Sequence, residues 1–281
     1  MMTADMISRY SKTAIDTLYR FLSRFDEVRF VSLITALLNS CCARRKRRGR
    51  STILVDGTAI TLDLNGFRKI YTKDQLESQE FRWGYSPSQG HYIGYKLTLA
   101  IEYPVLHPVC ILLHPGSPHD APLFEEIHTE LKRRRAIRIG DMVVCDKGYY
   151  SYGNYIQGIL RFSIIPMIFA KKNFSVQRLL RKLNCPLSIF GRSDTPDLIC
   201  RYRTLGRRLL RKLQEQDRFQ EIRSRIEDVF KAAKNAFSLK RIHRYTTRSV
   251  TKTVCLNVLL TGLVISRGFR SKEQLQRLAE W

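Results

Sequence analysis

Acidic residues are scarce in this chain. Only 25 Asp or Glu stand against 49 Lys or Arg among 281 residues, a formal net charge of +24. Such an excess implies contacts with phosphate and a strong sensitivity to salt. A ribosomal or membrane-surface protein could share that charge. No Cys-x-x-Cys pair occurs among the seven cysteines, and the adjacent Cys41 and Cys42 do not have a usual zinc-ligand spacing. The cysteines therefore read as buried or reduced thiols of a cytoplasmic protein. The best apolar runs, 30–38 and 254–265, fall short of the roughly 20 residues that a membrane span needs. They are expected to be core helices, with no membrane partner. The N-terminus lacks a signal-peptide pattern. There is no glycine-rich nucleotide loop, no nucleophile elbow and no internal repeat. His91, His107, His114, His128 and His243 show no ligand spacing, and His119 beside Asp120 suits the start of a helix better than a metal.

The hydrophobic fraction, 44%, is enough for a sizeable core. Helical periodicity over 4–40 predicts two helices broken near 23–26, followed by the basic run 43–50. The first 50 residues are expected to form a helical arm and linker, and 51–281 the main domain. From Ser51 the pattern changes. Strands are predicted at 52–55, 92–102, 109–114, 142–145 and 163–170, and helices at 120–135, 152–160, 219–236 and 250–266. Three strands in series, then alternating helix and strand, predict an α/β mixed sheet flanked by helices. The stretch 171–218 reads as a basic insertion, partly loop because of Pro186, Gly191 and Pro196. Over 171–250 there are 21 Lys or Arg against 7 Asp or Glu, a local net of +14.

Three acidic residues stand out from the basic background. Asp56 closes the apolar run Ile53-Leu54-Val55, and Asp146 closes Met142-Val143-Val144-Cys145 before Lys147-Gly148-Tyr149. Glu227 sits in the basic helix with Arg223 and Lys234. At 100° per residue these three fall within about 40° of one another on the helical wheel. Carboxylates at two strand ends with a third on a helix can hold Mg²⁺ for phosphoryl transfer. The plainer alternative for Arg223 and Glu227 is an ordinary i,i+4 surface pair, and for Asp146 a turn residue. Asp63, on a loop or hairpin after Asp56, competes for a place in the site. So do Asp141, expected to be solvent-exposed, and Asp228, pointing about 100° away from Glu227.

Asp146-Lys147-Gly148-Tyr149 resembles the Asp-x-Gly-Tyr signature of insertion-sequence DDE transposases. Arg223-x3-Glu227-x6-Lys234 is similar to the Arg-Glu-Lys part of their helix signature, although position 220, where that signature has Tyr, holds Gln220. Val55-Asp56-Gly57-Thr58 resembles their first-Asp strand, Gly116-Ser-Pro-His119-Asp120 their Gly-x-x-His-Asp stretch, and Gly94-Tyr-Lys-Leu-Thr-Leu-Ala their second strand. The match is best with the insertion-sequence-four and insertion-sequence-five groups. The resemblance implies a ribonuclease H-like core in which Asp56, Asp146 and Glu227 are catalytic and bind two Mg²⁺ ions, with Mn²⁺ as a substitute. It implies that Arg223, Lys234, Lys231, Lys147 and Tyr149 contact DNA. It also implies cleavage at transposon ends and strand transfer into double-stranded target DNA by a homodimer. Two alternatives stay open: a DNA-binding relative that has lost catalysis, and a metal-dependent nuclease without strand transfer.

Overall fold

Apolar and β-branched residues dominate 52–62 and 90–103, and these stretches form the two longest strands of a seven-stranded sheet. The computed structural model describes residues 23–43, 50–68, 82–86, 90–184 and 196–280, with isolated positions at 17, 20, 72 and 74. Strand β1 (Thr52–Leu62) pairs antiparallel with β3 (Gly90–Tyr103). On its other edge β3 pairs antiparallel with β2 (Arg82–Ser86) and β4 (His107–Pro115). The first half of β1 pairs in parallel with β5 (Met142–Cys145), and β5 with β6 (Ile165–Ile168). The core order is therefore β4-β3-β1-β5-β6, antiparallel on one side of β1 and parallel on the other. A short β7 (Arg241–Ile242) continues on the parallel edge of β1 beyond the end of β5. This mixed sheet has the topology expected of a ribonuclease H-like core.

Helices cover the sheet, each through a buried apolar stripe. Helix α1 (Glu27–Ala43) buries Phe30, Ile34 and Leu38, four residues apart, against β4 and α8 (Thr247–Ser266). It is thus part of the same core as the sheet. Arg248 of α8 ties down the entry to α1 by donating to the carbonyls of Ser23 and Phe25, each at 2.7 Å. The expected helix before α1 and most of the basic run 43–50 lie outside the described residues. At 20 residues, α8 is long and apolar enough by length and composition to cross a membrane, so its run is longer than the sequence suggested. Half of its apolar window is buried inside the protein, with Val250, Val254, Val258 and Ile265 almost fully covered.

The remaining helices follow the chain. Residues 64–68 form α2 (Leu64–Arg68), and α3 (Asp120–Arg133) and α4 (Tyr152–Leu160) lead into and out of β5. The basic insertion is more ordered than its Pro and Gly content implied. It holds α5 (Val176–Asn184) and α6 (Pro196–Gln214), while 185–195 lie outside the described residues. Pro196 opens α6 at a position where a missing N–H costs no hydrogen bond. Helix α7 (Arg218–Asn235) packs Ile226, Val229, Phe230 and Ala233 toward β1 and β5, and α9 (Lys272–Glu280) packs on α7.

Asp141 is 1% exposed, which corrects the expectation that it faces solvent. Its carboxylate accepts from Ser51 N at 2.9 Å, Ser51 Oγ at 3.0 Å and Arg138 N at 2.8 Å. These bonds clamp the start of β1 to the turn before β5 and so set the register of the parallel pair. Asp141→Ala would leave buried donors unsatisfied, and a loss of about 2–4 kcal/mol in urea unfolding is expected. A loss below about 0.5 kcal/mol would show that the clamp does not hold the two strands together.

Candidate active site

The register of β1 and β5 places Val55 opposite Cys145, so the next residues, Asp56 and Asp146, stand side by side on strands about 4.8 Å apart. The two carboxylates get there differently. β5 ends at Cys145, and Asp146 caps the following 3₁₀ turn (Lys147–Tyr149), accepting from Gly148 N at 3.3 Å. β1, in contrast, does not end at Asp56. It runs on to Leu62 against β3, and Asp56 Oδ1 accepts from Gly57 N at 2.7 Å. The apolar stripe of α7 seats that helix across the same strands and turns its other face toward their ends.

One guanidinium gathers the three acids. Arg223 Nη1 lies 3.2 Å from Asp146 Oδ1 and 3.6 Å from Asp56 Oδ2, and its Nη2 donates to Glu227 Oε1 at 2.8 Å. The Arg223–Glu227 pair is therefore real, but it belongs to a four-membered cluster and not to an ordinary exposed surface. Three carboxylates against one cation leave the site short of positive charge. The effect shows on Asp56, whose pKa is pushed from 3.8 up to about 7. Burial is the main cause and repulsion from Asp146 the next, while the Gly57 N–H and Arg223 pull it back. The three carboxylates are hard oxygen donors of the kind Mg²⁺ and Mn²⁺ take. Among the described residues no three His, Cys, Asp or Glu side chains surround a common metal position, and in this cluster the Arg223 guanidinium lies between the acids. The chemistry of the donor set fits a divalent cation, provided that Arg223 moves aside.

Behind the cluster sits a pair that sequence reasoning did not assign to the site. Lys96 Nζ lies 2.7 Å from Asp120 Oδ1 and donates to Pro118 O at 2.8 Å. Asp120 adds to the upward push on Asp56. Two glycines make room for the pair. A Cβ on Gly57 would fall 2.8 Å from Lys96 Cε, and one on Gly148 only 2.5 Å from Asp120 Oδ2. The signal was in the chain: the glycines follow Asp56 and Asp146 by one and two residues. Asp120 itself is the first residue of α3, whose N-cap is His119.

The other candidates separate clearly. Lys147 is exposed and lines an open cleft of about 530 Å³ with Asp146, Gln216, Asp217, Gln220 and Arg223. Gln220 thus faces the cleft from the helix position where the resemblance has Tyr. Lys231 is exposed. Lys234 is half-buried two turns beyond Glu227, and burial followed by Lys240 lowers its pKa. Tyr149 is fully buried, which corrects its assignment as a DNA contact, because its ring is part of the core. Asp63 accepts from Asn65 N at 3.0 Å and lies 3.2 Å from His243. Asp228 is buried and bound by Arg225 at 2.8 Å, which also holds the Arg270 carbonyl. Neither these two nor Asp141 is in contact with Arg223 in the cluster.

A raised carboxylate pKa has a defined sign in stability. Between pH 4 and 7 the folded chain holds a proton on Asp56 that the unfolded chain has released, so this contribution to stability is present below about pH 4 and lost as pH rises through about 7. In chelator, Asp56→Asn should therefore stabilise the protein more at pH 8 than at pH 5, read as the difference in urea midpoint from the parent. A difference that does not grow with pH would show that Asp56 is under no electrostatic strain.

The family model described as Transposase DDE domain matches residues 47–263, a span from just before β1 into α8. No curated protein and no solved structure matches the chain. With the expected sheet order in place, and a family match covering most of its length, the chain belongs to the DDE-domain transposases.

Proposed function

We propose that this chain cuts double-stranded DNA at the ends of a mobile element and joins those ends to a target, using divalent cations held by Asp56, Asp146 and Glu227. The observation that carries the proposal is the convergence of the three carboxylates, from β1, from the end of β5 and from α7, on the single guanidinium of Arg223. Such a cluster is deficient in positive charge and rich in the ligands that Mg²⁺ prefers, with Mn²⁺ as a substitute. When bound, two such ions supply an activated water, later a DNA 3′-OH, and stabilisation of the leaving oxygen.

The residues divide the remaining work. Asp56, with its pKa raised to about 7, would have to give up its proton to ligate a cation, so cation affinity should rise with pH through about 7. Arg223, once a cation took its place among the acids, would be free to bind two phosphate oxygens through parallel N–H donors. Lys147 at the cleft, with Lys231 and Lys234 further along α7, extends positive charge away from the cluster. The Lys96–Asp120 pair positions the main chain beside both aspartates. Water or a 3′-OH displaces a 3′-oxygen from phosphorus, one P–O bond forming as another breaks, with no covalent protein intermediate. A homodimer bridging paired ends, acting on DNA in the cytoplasm, completes the reading.

Labelled end DNA, purified protein and Mg²⁺ or Mn²⁺ provide the test. Asp56→Asn, Asp146→Asn and Glu227→Gln should each reduce cleavage to background and keep DNA binding; cleavage that survives in one of them removes that residue from the site. Cutting without joining of the 3′-OH ends would establish a nuclease, and binding without cutting a non-catalytic relative. Lys234→Ala should lower both affinity and cleavage rate. Wild-type behaviour, with a stability change within about 0.5 kcal/mol, would make Lys234 an ordinary surface residue.

A further inference from the structure

The opposite pole of the sheet carries a second cleft, of about 300 Å³, lined in part by Arg50, Gly140, Arg201, Thr204 and Arg208, with Ile139, Cys200 and Leu205 completing its wall. Arg50 stands just before β1, Gly140 in the turn before β5, and Arg201, Thr204 and Arg208 on α6, two turns apart from first to last. The cleft therefore lies at the start of the β1–β5 pairing, whose other end leads into Asp56 and Asp146. Gly140 adopts φ +80, and a Cβ there would sit 3.1 Å from Arg50 Nε, so the glycine lets Arg50 lie across the turn. None of the three arginines is ion-paired with a described acidic side chain, and no acidic residue lines the cleft. Three like charges held in one concavity repel each other unless an anion joins them.

Helix α6 connects this cleft to the active site. It buries Tyr202, Leu205, Leu209 and Leu213 and packs on β6 and α4. Its other side presents Arg201, Arg211 and the half-buried Arg208 within about 80° on the wheel, and Arg203 and Arg207 are exposed as well. The helix ends at Gln214, immediately before Gln216 and Asp217, which line the active-site cleft. From Arg201 to Gln214 the axis rises about 20 Å. A duplex advances 3.4 Å per base pair along each strand, so this span matches about six base pairs.

We infer that the Arg50–Arg201–Arg208 cleft is a second phosphate-binding site, which holds the backbone of the same DNA duplex about six base pairs from the scissile phosphate, with α6 as the track between them. The inference rests on the proposed function for its ligand and on the cleft alone for its location. Guanidinium groups suit this role because each can bind a phosphate through two parallel N–H donors.

The test is the salt dependence of end-DNA binding by the full chain. The Arg50→Gln, Arg201→Gln, Arg208→Gln triple variant should have a log Kd versus log salt slope smaller by about 2–3, at about 0.9 per lost phosphate contact. The corresponding triple Lys variant should keep most of the slope. The difference should vanish on a duplex cut back to four base pairs on the side of the cleavage site that occupies the track, each side being shortened in turn. A Gln variant with the parental slope, or a loss unaffected by shortening either side, would overturn the site. An equal or larger effect on an RNA duplex of the same length would overturn its assignment to DNA. Mg²⁺-dependent cleavage by the parent, measured in parallel, separates the two ideas. Cleavage with an unchanged slope in the variant defeats the second site alone, whereas a reduced slope without cleavage by the parent defeats the catalytic reading alone.

Discussion

Two carboxylates on neighbouring parallel strands repel each other, and the rest of this protein is arranged to hold them together all the same. The backbone supplies the force. Asp56 and Asp146 follow the last paired residues of the β1–β5 register, and moving either one means breaking sheet hydrogen bonds. Arg223 relieves part of the repulsion by touching both aspartates and Glu227. The remainder adds to the effect of burial, the larger cause, in raising the pKa of Asp56 to about 7. A site that stores repulsion in this way is tuned to receive positive charge.

The scaffold fixes this geometry from several directions. Buried Asp141 clamps the start of both strands, so the register is set at one pole and used at the other. Gly57 and Gly148 leave the space that Lys96 and Asp120 fill behind the aspartates. On the third side the apolar stripe of α7 delivers Arg223 and Glu227, and Arg225 with Asp228 pins that helix to the Arg270 carbonyl. One helix thus carries one ion pair that joins the acid cluster and another that anchors it.

Positive charge is distributed along a path. The basic insertion folds into α5 and α6, and α6 buries its apolar face while exposing arginines between two clefts. Burial against β6 orders that helix, so its guanidinium groups stand at fixed intervals. A flexible basic tail could supply the same net charge but not the spacing.

Much of this was written in local pattern. The strands at 92–102 and 142–145 and the helices at 120–135 and 219–236 follow from hydrophobic periodicity, which depends only on neighbouring residues. Apolar runs ending in an acid and one helical face mark Asp56, Asp146 and Glu227 as candidates, and the resemblance to transposase signatures joins them into one set. What the pattern missed was decided by pairing and packing. β1 runs past Asp56 because β3 is long enough to keep pairing with it, and Arg82–Ser86 is a strand because β3 offers it an edge. Tyr149 and Asp141 look like surface residues in sequence and are buried, since only the folded core shows what covers them. Lys96 and Asp120 are 24 positions apart in the chain, and no local rule joins them. The sequence alone determined which acids could act and how much cation surrounds them. Tertiary structure decided that they meet around Arg223, because that meeting depends on a strand register and a helix seating that involve residues far apart in the chain.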